Sequence, residues 1–157
     1  YNYEEIVPIG MELQYIQSYL ELFTRKYEGE LQVKYEITEE IEGYYMLKML
    51  LQPIVENCIM HAFGENPHGA LIKLSVKKKK DEFLFCIEDN GAGMTEEQLA
   101  ILIEDLNISE IDNRRIGIRN IHQRIRMKYG EKYGVCIESK EGYGTKFELK
   151  LPLINHS

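Results

Sequence analysis

The chain is poor in most of the features that announce common activities. Its three cysteines, Cys58, Cys86 and Cys136, stand apart among apolar neighbours, and no Cys-x-x-Cys occurs. That excludes a disulfide framework and predicts buried free thiols in a reducing compartment. Four histidines are present, and His61, His68, His122 and His156 form no metal-ligand spacing. His68 and His156 read as solvent residues and His122 as a helix-surface residue. Positive charge is in deficit, 19 Lys and Arg against 26 Asp and Glu, for a net charge of −7. No nucleic-acid footprint is expected from such a balance. No apolar run approaches the length of a bilayer span, so no direct membrane contact by this domain is expected. Neither a Ser/His/Asp or Cys/His arrangement nor a Gly-Lys-Ser/Thr phosphate loop is found.

What is present suits one soluble domain. The 157 residues are 44% hydrophobic and 29% charged, enough for a real core under a charged surface. The first residue, Tyr1, is not Met, and the chain is read as a piece of a longer protein whose parent is membrane-bound or not.

Leu13, Ile16, Tyr19, Leu20 and Phe23 recur at helical spacing and predict a helix over 11–27, ended by Gly29. Leu31 to Ile37 alternates and predicts a strand, followed by an acidic connector to Gly43. Leu47, Leu50, Leu51, Ile54, Val55, Cys58, Ile59 and Ala62 form a broad stripe that predicts a helix over 45–63. Pro53 inside it implies a kink or a restart. Ala70–Val76 and Glu82–Ile87 alternate around Lys77-Lys78-Lys79-Lys80-Asp81, which reads as a solvated hairpin turn that discourages edge pairing. Thr95 with Gln98 predicts a capping box and a short helix over about 96–104. The segment 105–115 is polar and reads as a surface loop. Ile118, Ile121, Ile125 and Met127 mark a last helix ending near Gly130, and strands 133–139 and 146–151 flank the turn Glu141-Gly142-Tyr143-Gly144. This order predicts an α+β two-layer sandwich, a mixed and largely antiparallel sheet with helices on one face.

Three stretches carry candidate chemistry. The first is Glu88-Asp89-Asn90-Gly91-Ala92-Gly93-Met94, where an apolar strand ends in carboxylates and a two-glycine turn. Such a turn lets a ligand approach the backbone, and a carboxylate at its rim accepts from an amine. It is equally ordinary turn chemistry when taken alone. The second is Asn57, on the shoulder of the apolar stripe, angularly close to Pro53, Met60 and His61. Its neutral oxygen suits Mg²⁺, which keeps phosphate and water for its other positions. Glu56 points about 100° further round, since adjacent helical residues do not share a face. The third is Arg114-Arg115-Ile116-Gly117-Ile118-Arg119-Asn120, a loop entering a helix with three arginines. Amides at a helix start and arginine forks both favour phosphate.

The order of these stretches is more specific than any one of them. Leu51-Gln52-Pro53-Ile54-Val55-Glu56-Asn57-Cys58-Ile59-Met60-His61, then Asp89-Asn90-Gly91-Ala92-Gly93-Met94, then Ile116-Gly117-Ile118-Arg119-Asn120, then Gly142-Tyr143-Gly144-Thr145 resembles the successive boxes of the GHKL ATP-binding (Bergerat) superfamily. Within it the chain looks most like the C-terminal catalytic domain of LytS/YesM-type bacterial sensor histidine kinases, and the likeness spans about residues 45 to 153.

The resemblance implies ATP and Mg²⁺ as cofactors and γ-phosphoryl transfer to a histidine, with catalysis by positioning and charge stabilisation. It implies that Asp89 accepts from the adenine amine, that Gly91, Gly93 and Met94 close over base and ribose, and that Thr145 fixes the adenine end. Asn57 becomes the Mg²⁺ ligand and a catalytic residue. His61, Arg115, Gly117, Ile118 and Arg119 join the nucleotide contacts, and residues 95–116 become the lid. Glu56 is the nearest acid for a general base. Residues 1–28 would be a linker helix toward a phosphoacceptor and dimerisation region, and 29–157 the ATP-binding domain. The implied partners are that acceptor-histidine domain, in a homodimeric parent, and a response regulator of LytTR or AraC type. The implied location is the cytoplasmic side of a bacterial inner-membrane sensor. No acceptor histidine is recognisable in the chain, so it is expected to bind Mg-ATP without phosphorylating itself.

Arg115 stands where the superfamily commonly has glycine, Met60 where many relatives carry a base, and Pro53 where several branches have a carboxylate or Asn. These departures keep open a non-catalytic nucleotide-binding module. An anti-sigma-type serine kinase is the other alternative, while the short lid weighs against the gyrase and MutL branches.

Overall fold

The computed structural model describes residues 6–64, 68–108 and 117–155. A short strand β1 (Ile6–Pro8) leads into α1 (Ile9–Lys26), then β2 (Leu31–Ile37) and β3 (Tyr45–Leu47). Helix α2 (Gln52–Asn57) runs directly into a π-helical turn, Cys58–Ala62. Strands β4 (Ala70–Lys79) and β5 (Glu82–Asp89) follow, then α3 (Glu96–Leu106), α4 (Ile118–Tyr129), β6 (Gly134–Lys140) and β7 (Gly144–Pro152).

The main sheet has the order β2-β4-β5-β7-β6. Only β2 and β4 run parallel; the remaining neighbours are antiparallel. The α+β sandwich with a mixed, largely antiparallel sheet is therefore the observed fold. Strand alternation explains the layering. Ile72, Leu74 and Val76 of β4, Phe83, Phe85 and Ile87 of β5, and Phe147, Leu149 and Leu151 of β7 are all buried. They meet Leu13, Ile16 and Leu20 of α1, Ile54 and Val55 of α2, and Ile121 and Ile125 of α4 in one core. Helix α1, within the segment expected as a linker, thus contributes to the same core as the strands and helices of residues 29–157. The opposite pleat carries Lys73, Glu88, Lys146, Glu148 and Lys150, which leaves that face wet.

Several expectations change. Residues 45–47 are not helical: they pair with β1, Leu47 opposite Ile6, and Tyr45 N–H reaches the Ile154 carbonyl at 2.8 Å. A left-handed Met49, at φ 61°, then separates β3 from α2. Pro53 falls in the first turn of α2, where a helix has no use for its missing N–H, so the restart replaces a kink. The lysine hairpin is tighter than expected, with Lys79 opposite Glu82 and only Lys80 and Asp81 in the turn.

Met127 is 72% exposed and leaves the apolar stripe of α4. His122 takes its place inside, one turn from both Ile118 and Ile125; it is buried rather than at the helix surface. Its Nδ1 accepts the Val135 N–H at 2.9 Å. Of the thiols only Cys58 is buried; Cys86 is half-buried, and Cys136, on the wet face of β6, is exposed. His156 and Arg115 lie outside the described residues. The capping box is present, Thr95 accepting from Gln98 N–H at 3.1 Å and Gln98 Oε1 from Thr95 N–H at 3.0 Å.

Candidate functional site

The cleft forms where α2 ends above the last residue of β5. The ladder runs into a turn at Asp89, and three elements converge there. A π turn at Cys58–Ala62 is wider than an α turn, and such turns often mark functional positions. Its last carbonyl, that of Ala62, accepts the Ala92 N–H at 2.9 Å. Asn90 secures the other side: its Oδ1 accepts Leu71 N–H at 2.7 Å and its Nδ2 donates to Gly69 O at 2.9 Å.

The glycines of this turn have a reason different from ligand access. A Cβ on Gly91 would stand 2.3 Å from Ala62 O, and one on Gly93 2.1 Å from Lys140 O. Gly93 is also left-handed, with φ 68°. Both are demanded by chain packing against chain. Gly93 lines the inner lobe of the cleft described below, whereas among the described residues Gly91 walls neither of its two lobes.

The cleft has two connected lobes. The inner lobe, about 200 Å³, is walled by Asp89, Thr145, Gly93, Met94, Ala62 and Phe147. The outer lobe, about 430 Å³, is walled by Glu56, Met60, Asp105, Gly117, Arg119 and Asn120, with Pro53. Asn57, His61, Leu102 and Ile118 face both lobes and so stand at their junction. Glu56 and Asn57 share the outer lobe even though their directions differ, because the lobe is wide enough to span both. Gln52 Nε2 donates to Glu56 Oε1 at 2.8 Å, which orients that carboxylate.

Asp89 is the most constrained polar group of the inner lobe, 5% exposed. Its Oδ1 accepts Gly91 N–H at 2.9 Å and Thr145 N–H at 3.3 Å. The Cys58 thiol donates to the same carboxylate. Burial pushes the Asp89 carboxyl above its usual range despite these donors, and the same burial, with Asp89 beside it, pushes the Cys58 thiol well up. A buried carboxylate whose ionised form is under-compensated is a ready acceptor for a ligand N–H.

In the outer lobe Arg119 Nη1 lies 3.3 Å from Asp105 Oδ1 at the end of α3. Gln123 Nε2 donates to the Leu106 carbonyl at 2.6 Å and the Ile108 carbonyl at 3.0 Å, closing the same helix end. Gly117 is the N-cap of α4, and Gly117 with Ile118, Arg119 and Asn120 of the first turn lines this lobe, where a helix start leaves amides without intrahelical partners. Among the described residues the Asn57 side chain has no protein partner, leaving its oxygen available to a cation. A donor set of Asn57, Glu56, Arg119 and helix-start amides fits a metal-phosphate group, and the Asp89 end fits an amine-bearing base.

Sequence reasoning missed Ser139, Leu102, Phe147 and Asp105. The β6–β7 register places Ser139 directly opposite Thr145, a relationship the symmetric hairpin around Glu141–Tyr143 foreshadows. Leu102 and Phe147 fall in the helix expected over about 96–104 and the strand expected over 146–151, and only the meeting of helix and sheet makes them cavity walls.

Residues 45–155 match the family of histidine kinase-, DNA gyrase B- and HSP90-like ATPases, and the chain belongs to that family. Its fold is that of histidine kinase catalytic domains. It is similar to the catalytic domain of histidine kinase ThkA, at 12% identity and TM-score 0.67, covering 97% of this chain and 98% of that one. It is likewise similar to the mycobacterial sensor histidine kinase MprB, at 17% identity and TM-score 0.62, covering 98% and 99%. In sequence it resembles sensor protein kinase HptS of Staphylococcus aureus, 29% identical over 147 residues, which are 94% of this chain and 28% of HptS. The chain therefore spans little more than a quarter of that curated relative. Among the described residues no helix is long and apolar enough to cross a membrane.

Proposed function

We propose that this chain is the ATP-binding catalytic domain of a two-component sensor histidine kinase, delivering the γ-phosphoryl group of Mg-ATP to a histidine on a separate domain. One observation carries the reading: a buried carboxylate, Asp89, closes the inner lobe, while Asn57 stands at the opening to a lobe with phosphate-binding chemistry.

In this reading Asp89 accepts from the adenine amine, and Gly93, Met94 and Thr145 complete the base pocket. Asn57 holds Mg²⁺, which when bound offsets phosphate charge in an otherwise acidic protein. His61, Ile118 and the helix-start amides after Gly117 position the phosphates, and Arg119 supplies positive charge. Glu56, oriented by Gln52, is the candidate base toward the acceptor. Gly91 acts by packing the turn. Arg115 is assigned to the phosphates from sequence alone.

The same reading makes the phosphoacceptor domain and a response regulator the partners, the latter of LytTR or AraC type, and places the domain on the cytoplasmic side of a membrane sensor. ThkA was crystallised in complex with its response regulator TrrA, and that structure aligns with 94% of this chain at 15% identity and TM-score 0.67.

Calorimetry with Mg-ATP tests the claim. The parent chain binds; Asp89→Asn loses about 1.5–3 kcal/mol of affinity, the range for a broken hydrogen bond to a charged group, while keeping its fold. Asn57→Ala loses binding in Mg²⁺ but little in EDTA. Unchanged binding by Asp89→Asn would sink the assignment.

A second reading, nucleotide binding without transfer, is favoured by Pro53 and Met60, which line the outer lobe and bring no charge to it. Labelled ATP offered with a separately supplied acceptor domain distinguishes the two.

A further inference from the structure

The Ser139 hydroxyl meets three groups at once. It accepts the Met94 N–H at 2.8 Å and donates to the Gly144 carbonyl at 3.0 Å. It also lies 2.8 Å from Thr145 Oγ1, in a contact whose donor the heavy atoms leave open. A serine hydroxyl has one hydrogen and two lone pairs. The Met94 amide can only donate, and the Gly144 carbonyl can only accept. All three contacts are satisfied in one arrangement alone: the Ser139 hydrogen goes to Gly144, and Thr145 donates its own hydrogen to Ser139. Half-buried polar groups at the end of a sheet favour such full satisfaction.

The consequence falls on the inner lobe. Thr145 lines that lobe beside Asp89, and Ser139 stands outside its walls. With its hydrogen turned toward Ser139, Thr145 shows the lobe lone pairs only. Asp89 is its neighbour, joined to it through the Thr145 N–H. Both side chains then accept, and neither donates.

We propose that Ser139 is a specificity-determining positioning residue: by holding Thr145 as an acceptor it makes the wall of the base pocket complementary to a 6-aminopurine and opposed to a 6-oxopurine. An exocyclic amine brings two N–H groups to two acceptors. A carbonyl in the same place faces lone pairs on both. Ser139 touches no ligand atom in this account and acts on the preference through the Thr145 hydroxyl, while its bond from the Met94 N–H fixes its own position. The inference rests on the adenine assignment of Asp89 given above.

The test compares Mg-ATP with Mg-ITP, which carries a 6-oxo group. Affinities are measured for the parent chain, Ser139→Ala, Ser139→Thr, Thr145→Val and the Ser139→Ala/Thr145→Val pair. The parent prefers ATP. Ser139→Ala frees the Thr145 hydroxyl to rotate and donate, so the ATP/ITP preference falls by about tenfold, the worth of one hydrogen bond, with ITP gaining more than ATP loses. Ser139→Thr retains the hydroxyl and the preference. In the Thr145→Val background Ser139→Ala changes the preference no further. Equal losses for both nucleotides in Ser139→Ala would overturn the proposal, and so would a full additional effect of Ser139→Ala in the Thr145→Val background. Either result shows Ser139 acting other than through the Thr145 hydroxyl. Should Ser139→Ala fail to fold, Thr145→Val decides: an unchanged ATP/ITP ratio overturns the proposal, since a hydroxyl that reads nothing cannot be usefully oriented. Absence of ATP binding by the parent chain is a different failure, that of the adenine assignment itself.

Discussion

A Cβ placed on Gly144 would lie 1.9 Å from the main-chain oxygen of Asp89. Gly144 opens β7 at φ 125°, one residue before Thr145 pairs with Asp89. The missing side chain is therefore what lets the β6–β7 hairpin close on the binding turn. Gly144→Ala must push that hairpin away from Asp89. We expect a stability loss of about 1–3 kcal/mol, as for other overpacked sites. ATP affinity should fall as well, because the Thr145 N–H moves off the carboxylate. Gly142 is the control: it is left-handed at φ 84° with nothing within 4 Å of an added Cβ. Gly142→Ala should cost about 1 kcal/mol of backbone strain and leave affinity intact. Urea midpoints and calorimetry on both variants check the pair; equal affinity losses would show that the contact with Asp89 is irrelevant.

His122 predicts a pH dependence. Burial lowers its pKa below 6.5, and the neighbouring Arg126 lowers it further. The unfolded chain, with an ordinary histidine, binds the proton more tightly. Stability from this residue is therefore full above pH 6.5 and is lost as pH falls below it toward the lowered folded value. Protonation at Nδ1 would also abolish the acceptor for Val135 N–H. The raised carboxyls of Glu12 and Asp89 have the opposite sign, losing stability as pH rises through their folded values. Subtracting the urea-derived stability curve of His122→Gln isolates the histidine. A difference curve that is flat between about pH 5 and 7 would contradict this account.

Arg119 and Asp105 predict effects of opposite direction. Their 3.3 Å pair joins α4 to the end of α3 within the outer lobe, and its side chains are 25% and 42% exposed. Pairs this open contribute about 0–1 kcal/mol to stability, so either partner can be changed without unfolding the domain. If Arg119 serves phosphate, Asp105 competes for it. Asp105→Asn should then tighten Mg-ATP binding a few-fold, roughly the worth of an exposed pair, and Arg119→Ala should weaken it by about tenfold. Titrations at low and high salt check this, with both effects shrinking as salt rises. Weakening by Asp105→Asn would mean that the carboxylate, not the guanidinium, serves the ligand.

Much of the fold was readable because most segments bury one face, and burial on one face imposes a period. Strand alternation predicted β2, β4, β5, β6 and β7, and the capping residues Thr95 and Gln98 marked the start of α3 to the residue. The pattern failed at 45–47, where an apolar run is equally compatible with a helix. Pairing with Ile6–Pro8, far away in sequence, decided that segment. It failed again at His122 and Met127, since the core stripe of α4 admits a histidine once Val135 supplies its N–H.

The candidate site divides in the same way. The order of the four stretches that hold Asn57, Asp89, Gly117 and Thr145 carried the resemblance to the superfamily, since each stretch alone is also ordinary helix or turn sequence. Which lobe each of them lines was not legible, since that depends on where helix, turn and hairpin meet. Nor was the reason for Gly91 and Gly93, which face backbone oxygens of Ala62 and Lys140 across distances no local pattern encodes. The direction of the Thr145 hydroxyl is the clearest case. It follows from three partners of Ser139 drawn from separate stretches of the chain, and hydrogen-bond satisfaction is a property of the assembled neighbourhood and not of any one stretch of sequence.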